Sequence, residues 1–145
     1  MNHWQVSVSP RERLKLWRAM RQQLENIEDD VEVLNTLCEW WKNAPTSVRV
    51  IDPYDNKDWP DPWELIYNDQ FDDNVIALGM CYTLELSGWP CTLQLIQCNK
   101  KNEIKLIINV DDEYILNYTY GQVDLVENVA HCEILHSWES SELTD

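Results

Sequence analysis

The chain has 145 residues, of which 44% are apolar, and a formal net charge of −15 at pH 7. This length fits one domain with a single core, so we expect residues 1–145 to form one domain. The negative charge disfavours general nucleic-acid binding, because an acidic surface repels phosphate. No apolar run reaches the roughly 20 residues that a membrane-spanning helix needs. We therefore expect a cytoplasmic protein with no direct nucleic-acid or membrane partner.

The charge is unevenly distributed along the chain. Residues 1–23 contain five Lys or Arg and one acid, a balance of +4, whereas the rest has a balance of −19. Ser9 and Pro10 have the residue types of a helix cap and a first helical position, and apolar residues recur at helical spacing to about Ile27. A second amphipathic segment continues to Trp41, so we predict an antiparallel helix pair over residues 10–42. The simplest interpretation of the basic first helix is that it docks on its own acidic domain.

A third helix is predicted in the stretch KDWPDPWELI at 57–66. Asp61 is the expected N-cap, Pro62 the first helical residue and Glu64 the third residue of a capping box. Before it, SVRVI at 47–51 alternates like a short strand. The segment 52–62 is rich in Asp, Asn and Pro, which is typical of an exposed loop.

The aromatic residues of this loop raise the possibility of a binding surface. The chain has eight tryptophans, and Trp4, Trp59, Trp63 and Trp89 fall in predicted loops or at element ends. Tryptophan and tyrosine are common interface anchors, because they offer a large rigid area at low entropic cost. We predict a partner-binding surface made of two parts, the loop residues Tyr54, Trp59 and Trp63 and the basic helix residues Arg11, Lys15 and Arg18.

The second half of the chain predicts a buried helix followed by a sheet. Residues 72–86 are apolar on nearly every side of a helix, which indicates a central helix. The segments 92–98, 103–110 and 114–120 are rich in β-forming residues and are joined by short polar turns, as in an antiparallel meander. Residues 130–138 alternate like a further strand, and 139–145 read as a flexible acidic tail. The fold class is therefore α+β, with an N-terminal helix pair and a central buried helix packed on an antiparallel sheet, over residues 62–138.

This succession resembles the core of the transglutaminase-like, papain-related cysteine enzymes. FDDNVIALGMCYTLEL, SGWP, KLIINV and YILN stand in the order of that family's central helix, turn and strands, over about residues 41–118. The resemblance places the family's nucleophilic cysteine at Phe71 or Asp72, its histidine at Lys105 or Leu106 and its aspartate at Asn117. None of the three catalytic residue types is present at these positions, so we expect no catalytic residue.

Other candidate chemistry is weak in the sequence. The five cysteines are odd in number and form no CxxC pair, so we expect buried, reduced thiols. His131, Cys132 and His136 could form a metal cluster, but the two histidines are five residues apart and would lie on opposite faces of a strand. Acidic pairs such as Asp72–Asp73 fit local capping and turn roles. We predict no metal and no cofactor.

We therefore expect a non-catalytic interaction protein. The DPWELI helix start and the acidic, tryptophan-rich composition are similar to small virion proteins of tailed bacteriophages, which implies a neck, tail or baseplate adaptor that binds other virion subunits and has no small-molecule substrate. Its expected location is the virion, after assembly in the host cytoplasm. One alternative is an acidic nucleic-acid mimic that inhibits a host protein. A third is a thiol hydrolase that uses Cys81 or Cys91.

Overall fold

The computed structural model describes residues 4, 8–44, 51–68, 72–98 and 103–144. Helix α1 spans Pro10–Glu25, and its N-cap Ser9 accepts a hydrogen bond from the Glu12 N–H, as predicted. Helix α2 spans Asp30–Trp41. The strand predicted at 47–51 falls almost entirely on residues outside the described ranges.

Helix α1 docks on its own domain through a buried arginine. The Arg13 side chain is only 2% exposed. Its Nη1 donates to the carbonyl oxygens of Ile66 and Tyr67 at 3.1 and 3.3 Å. These carbonyls belong to helix α3 (Pro62–Asn68), and a cation is favourable at the carbonyl end of a helix. Part of the positive charge of the N-terminal segment is therefore used inside the molecule.

The capping residues read from the sequence start both α3 and the central helix. Asp61 Oδ1 accepts from the Glu64 N–H at 2.8 Å, one turn into α3. Helix α4 (Asp73–Leu86) starts at its N-cap Asp72, which accepts from the Val75 N–H at 2.8 Å. Every α4 residue from Val75 to Leu84 is buried, which confirms a central helix. In the described ranges, every helix is too short or too polar to cross a bilayer.

Five antiparallel strands form one sheet with the order β4-β3-β2-β1-β5. Their bounds are β1 Thr92–Cys98, β2 Glu103–Val110, β3 Tyr114–Leu116, β4 Val123–Leu125 and β5 Glu133–Glu139. Strand β3 is shorter than the predicted 114–120, because Asn117 takes a left-handed backbone with φ of 67° and turns the chain. Two short 3-10 helices, Asn56–Asp58 and Val126–Val129, complete the connections described. The predicted α+β class is confirmed.

The two faces of the sheet have different coverings. Leu93, Leu95 and Leu106 belong to the main core, which includes α4. Ile96, Cys98 and Ile107 belong to a smaller cluster with Ile115, covered by side chains such as Val126 and Cys132. Since neighbouring side chains of a strand alternate between faces, the small cluster lies on the face away from α4. We call this the outer face.

Most tryptophans of the described residues lie inside the molecule, including three of the four that the sequence places in loops or at element ends. Trp4 and Trp59 are buried, and Trp89 is half-buried. The indole N–H groups of Trp4 and Trp89 are used within the fold, because Trp4 donates to the Trp40 carbonyl and Trp89 to the Leu24 carbonyl. The exposed exception among the four singled out is Trp63, at 52%. The indoles mainly join distant segments of the chain.

A short helix ends the described chain. Where the sequence predicts a flexible tail at 139–145, residues Ser140–Thr144 form α5. Ser140 is buried; its Oγ accepts from the Cys91 N–H at 3.0 Å and donates to Glu85 Oε2 at 2.8 Å. The acidic composition of this segment predicts a tail, but the hydrogen bonds of Ser140 fix it to the domain.

Candidate functional site

The positions that correspond to the family's catalytic triad come together in space. Asn117 Nδ2 donates to the carbonyl oxygens of Asp73 and Leu106 at 2.9 and 3.1 Å. Asn74 Oδ1 accepts from the Leu106 N–H at 3.0 Å. The N-terminus of α4, strand β2 and the end of β3 therefore meet as the resemblance implies. The described side chains here make structural hydrogen bonds, and Phe71 lies outside the described residues.

A second group, which we call the thiol cluster, consists of Cys98, His131 and Cys132. Cys98 and Cys132 form a disulfide, with their Cα atoms 4.4 Å apart. The ligand atoms of all three side chains lie within 4.8 Å of one another. Cys98 is buried, Cys132 is half-buried and His131 is exposed. The expectation that all five cysteines are buried, reduced thiols is therefore wrong for this pair.

Strand pairing creates the cluster. Strand β1 ends at Cys98. The last residue pair between β1 and β5 is Gln97 with Glu133, so the next residues outward, Cys98 and Cys132, lie opposite each other. The turn after the second 3-10 helix holds Cys132, whose N–H donates to the Val129 carbonyl at 2.9 Å. The cluster lies on the outer face, on the other side of the sheet from α4. It is thus a different site from the meeting point of α4, β2 and β3.

A cavity of about 250 Å³ opens beside the cluster. Cys132 is part of its wall, whereas Cys98 is not. Most of the other lining side chains are apolar, among them Ile96, Val126 and Ile134, and Glu127 adds a carboxylate. This volume is slightly below the roughly 300 Å³ of the smallest typical ligand pockets. It suits one side chain or a fragment of a ligand.

The other cysteines occupy a different chemical setting. Cys38, Cys81 and Cys91 are buried free thiols, and the Sγ atoms of Cys81 and Cys91 are 3.7 Å apart. Burial raises the pKa of Cys38 to about 12. The hydrogen bond with Cys91 and burial both raise the pKa of Cys81. Because the thiolate is the nucleophilic form, Cys38 and Cys81 are poor candidates for chemistry at neutral pH. Cys91, the other residue of the predicted alternative at Cys81 or Cys91, is buried and offers a substrate little access.

Among the predicted partner-binding residues, Trp59 is buried and the others are exposed. Trp59 is 9% exposed, and its ring packs on Trp138 with centroids 4.9 Å apart. Its Nε1 donates to the Asp52 carbonyl at 2.7 Å. Trp59 therefore has a structural role in the fold. Tyr54, Trp63, Arg11, Lys15 and Arg18 are exposed, and their contact with a partner stays a prediction.

The comparisons with known proteins concern the fold. No family model matches the sequence, and no curated protein matches it significantly. Solved structures of Legionella pneumophila LapG do match. The calcium-bound form aligns with a TM-score of 0.70 at 14% identity, over 90% of this chain and 76% of that chain. The EGTA-treated form has a TM-score of 0.69 at 15% identity, over 89% and 73%. These neighbours have a transglutaminase-like, papain-related fold.

One of these LapG structures is calcium-bound. Calcium takes six to eight oxygen ligands. The group of three close His, Cys, Asp or Glu side chains found among the described residues contains no carboxylate. This group therefore lacks the ligand types that calcium prefers.

The expected function needs correction. The matching solved structures are those of LapG, and the thiol cluster is a group consistent with catalysis. The predictions of a non-catalytic bacteriophage virion component and of a chain that is not an enzyme are contradicted. The alternative of a nucleic-acid mimic depended on charge alone and stays a prediction. The similarity to LapG, at 14–15% identity, shows the fold alone. Any activity of this chain depends on its own cluster.

Sequence reasoning missed Cys98. The sequence groups His131 and Cys132 with His136, but His136 packs on Trp138, with ring centroids 4.2 Å apart. The third member of the cluster lies 34 positions from Cys132. Two features of the sequence could have pointed to the pair. Cys98 lies at the end of a predicted strand, and Cys132 lies near the start of the last alternating segment. Only the neighbour relation of β1 and β5 joins them.

Proposed function

We propose that this chain is a thiol–disulfide exchange enzyme whose reactive group is the Cys98–Cys132 disulfide beside His131. The observation that supports the proposal is the asymmetry of the pair. Cys132 is half-buried and lines a cavity, whereas Cys98 is buried and does not line it. An attacking thiolate therefore has access to one sulfur, and the other is the leaving group.

In the first turnover the enzyme disulfide itself is the oxidant, so no further oxidant is needed. A substrate thiolate attacks Cys132 Sγ, the disulfide bond breaks, and Cys98 leaves as a thiolate that takes up a proton. The mixed disulfide is then attacked at the substrate sulfur by a second thiolate of the same substrate. That step releases Cys132 as a thiolate and gives an oxidised substrate and a reduced enzyme. A low-molecular-weight disulfide restores the enzyme by the reverse exchange.

His131 supplies the electrostatic part of this chemistry. Its imidazole lies within 4.8 Å of both sulfur atoms and is exposed to solvent. A protonated imidazole beside a thiol favours the thiolate, so it stabilises whichever cysteine leaves. We expect His131 to accelerate exchange and to have little influence on the fold.

The same proposal assigns no reaction to the positions of the family's triad. Asp72, Leu106 and Asn117 stand there and offer no thiol, and Asp72 and Asn117 are engaged in hydrogen bonds to the backbone. In the family, the positive end of the helix dipole lowers the pKa of the nucleophilic thiol. Here the carboxylate of Asp72 occupies that end of α4 instead. The cluster on the outer face is therefore the better candidate.

The cavity indicates the class of substrate. Its apolar wall and its volume suit an apolar side chain next to a cysteine in a peptide. We expect dithiol peptides with an apolar neighbour of the cysteine to react faster than small hydrophilic thiols.

Trapping the mixed disulfide tests the proposal. Cys98→Ser removes the leaving thiol but keeps Cys132, so glutathione disulfide should give a stable glutathione adduct at Cys132, seen by mass spectrometry. Cys132→Ser keeps the buried Cys98 and should react at least about tenfold more slowly. Cys38→Ala is the matched control, because it removes a thiol outside the cluster. If the Cys98→Ser adduct forms only in denaturant, the disulfide is structural and the proposal is wrong.

A further inference from the structure

We propose that the reduced thiol cluster binds a thiophilic divalent cation, with Zn²⁺ as the natural test ion, through Cys98, Cys132 and His131. The inference goes beyond the exchange reaction. It needs the disulfide to be reducible in the folded protein, but it does not need a substrate to react there.

The ligand set selects the kind of metal. Two thiolates and one imidazole are soft or borderline ligands, which suit zinc and copper(I) and do not suit magnesium or calcium. Among the described residues, the group of three close side chains of metal-ligating type has this composition and no carboxylate. The acidic character of the chain as a whole therefore does not determine which ion this site accepts.

Distances within the cluster are compatible with one ion. A Zn–S bond of about 2.3 Å and tetrahedral angles place two sulfur ligands about 3.8 Å apart. The three ligand atoms already lie within 4.8 Å of one another. On reduction the sulfurs must separate from a bonded distance of about 2.05 Å. Cys132 and His131 sit in the turn before β5 and are at least partly exposed, so side-chain rotation can supply that separation.

The fourth coordination position would be open. Three protein ligands with a free position are typical of catalytic zinc sites, whereas structural sites have four. The cavity borders Cys132 and is lined mainly by apolar residues. A bound water or a substrate thiol therefore has room to complete the coordination.

Metal binding and oxidation exclude each other at this site. The same two sulfurs form either the disulfide or the metal thiolates, and thiolate ligands must lose their protons. Zinc therefore protects the reduced cluster from oxidation, and oxidation releases the ion. The cluster would respond both to the redox state and to the availability of the metal.

Cobalt and zinc titrations of the whole chain test this inference. The TCEP-reduced, metal-free protein is titrated with Co²⁺, and we expect one equivalent to give tetrahedral d–d bands and a sulfur-to-cobalt charge-transfer band. Zinc should abolish both bands. The oxidised protein should show neither. His131→Ala should weaken binding by at least about tenfold, the loss that even an outer-shell partner can cause.

Variants separate this inference from the proposed function. Cys98→Ser and Cys132→Ser should each lose the charge-transfer band, whereas Cys38→Ala should keep it with unchanged affinity. Glutathione trapping by Cys98→Ser together with the absence of cobalt bands in the reduced wild type would overturn the metal site alone. Cobalt bands without glutathione trapping would overturn the exchange reaction alone. Cobalt bands that persist in the double variant Cys98→Ser/Cys132→Ser would show binding elsewhere and would also overturn the metal site.

Discussion

Trp59 shows how burial changes the meaning of an aromatic residue. Its indole contacts Trp138 and donates to the Asp52 carbonyl, so Trp59→Ala removes a large buried side chain and a hydrogen bond. We expect a loss of about 3–5 kcal/mol in the free energy of unfolding, the range for core tryptophan truncations. Urea denaturation followed by circular dichroism measures it. Trp63→Ala, at an exposed position of the same region, should cost much less, and equal losses would contradict this assignment.

Gly79 on α4 leaves space for the buried ring of Trp41. A methyl group at position 79 would lie 2.7 Å from Trp41 Cζ2 and closer to Cη2. Helix propensity favours alanine by about 1 kcal/mol, but overpacking typically costs 1–3 kcal/mol, and Trp41 is only 1% exposed. We expect Gly79→Ala to destabilise the protein by up to about 2 kcal/mol, the overpacking cost less the propensity gain. Denaturant unfolding measures this loss. In the double variant with Trp41→Phe, the alanine should cost less than it does in the wild type. If the losses of the two single variants simply add, there is no clash.

Thiol reactivity should separate the cysteines. Burial raises the pKa of Cys38 to about 12 and, with the Cys91 contact, raises that of Cys81. Both therefore stay neutral thiols at pH 7 and become reactive only as the pH approaches their raised pKa values. In the TCEP-reduced native protein, iodoacetamide should label Cys132 first. Peptide mapping measures this, and labelling in urea should reach all five cysteines. Early labelling of Cys38 would show that the core opens.

At the scale of elements, the start of α4 combines a favourable cap with an unfavourable burial. Burial raises the pKa of the Asp72 carboxyl, although the Val75 N–H and other backbone donors oppose this. A raised pKa in the folded state means that the native state holds the proton more tightly than the unfolded state. The stabilisation is thus present below the ordinary value of 3.8 and is lost as the pH rises through the folded pKa.

Two substitutions at Asp72 separate these effects. Asp72→Ala loses the cap and should cost about 1 kcal/mol at neutral pH. Asp72→Asn keeps an acceptor for the Val75 N–H without a buried charge, so it should be at least as stable as the wild type at pH 7 and should show a weaker decline of stability with pH. Denaturation at a series of pH values measures both. An asparagine variant as unstable as the alanine variant would mean that the charge itself is needed.

Elements with a strong local pattern could be predicted from the sequence. Strands β1 and β2 match their predicted bounds of 92–98 and 103–110, because long apolar runs are separated by a short polar turn. The capping residues Ser9 and Asp61 identified two helix starts. Strand β4 was missed, because its three residues, Val123–Leu125, are too few for alternation and are at most half-buried. Helix α5 was missed because its anchor, Ser140, is recognisable only by its distant partners Cys91 and Glu85.

At the scale of the molecule, the thiol cluster could not be read from the sequence for a topological reason. Strand β5 pairs with β1 at the far edge, after the chain has passed through three other strands. Nothing local indicates that Cys98 and Cys132 meet, and the odd number of cysteines pointed away from a disulfide. The central helix and the meander were predictable because each depends on contacts close in sequence.

The disulfide should stabilise the whole fold as well as carry chemistry. Its sequence separation of 34 corresponds to about 3–4 kcal/mol in the chain-entropy model. We expect TCEP to lower the free energy of unfolding by about 2–4 kcal/mol, the typical range for a native disulfide. Urea unfolding with and without reductant measures it. Cys98→Ser should have the lower stability already and should not respond to TCEP, and an unchanged midpoint for the reduced wild type would contradict the expectation.

The position of the disulfide also determines how the chain can come apart. Strands β2, β3 and β4 lie between Cys98 and Cys132, so three of the five strands belong to a covalently closed ring. Strand β5 and α5 follow Cys132 in the chain and lie outside the ring. A single proteolytic cut inside the ring therefore leaves one molecule of unchanged mobility on a non-reducing gel, and two fragments appear only after reduction. The oxidised protein can lose the continuity of its backbone and still remain one covalent body.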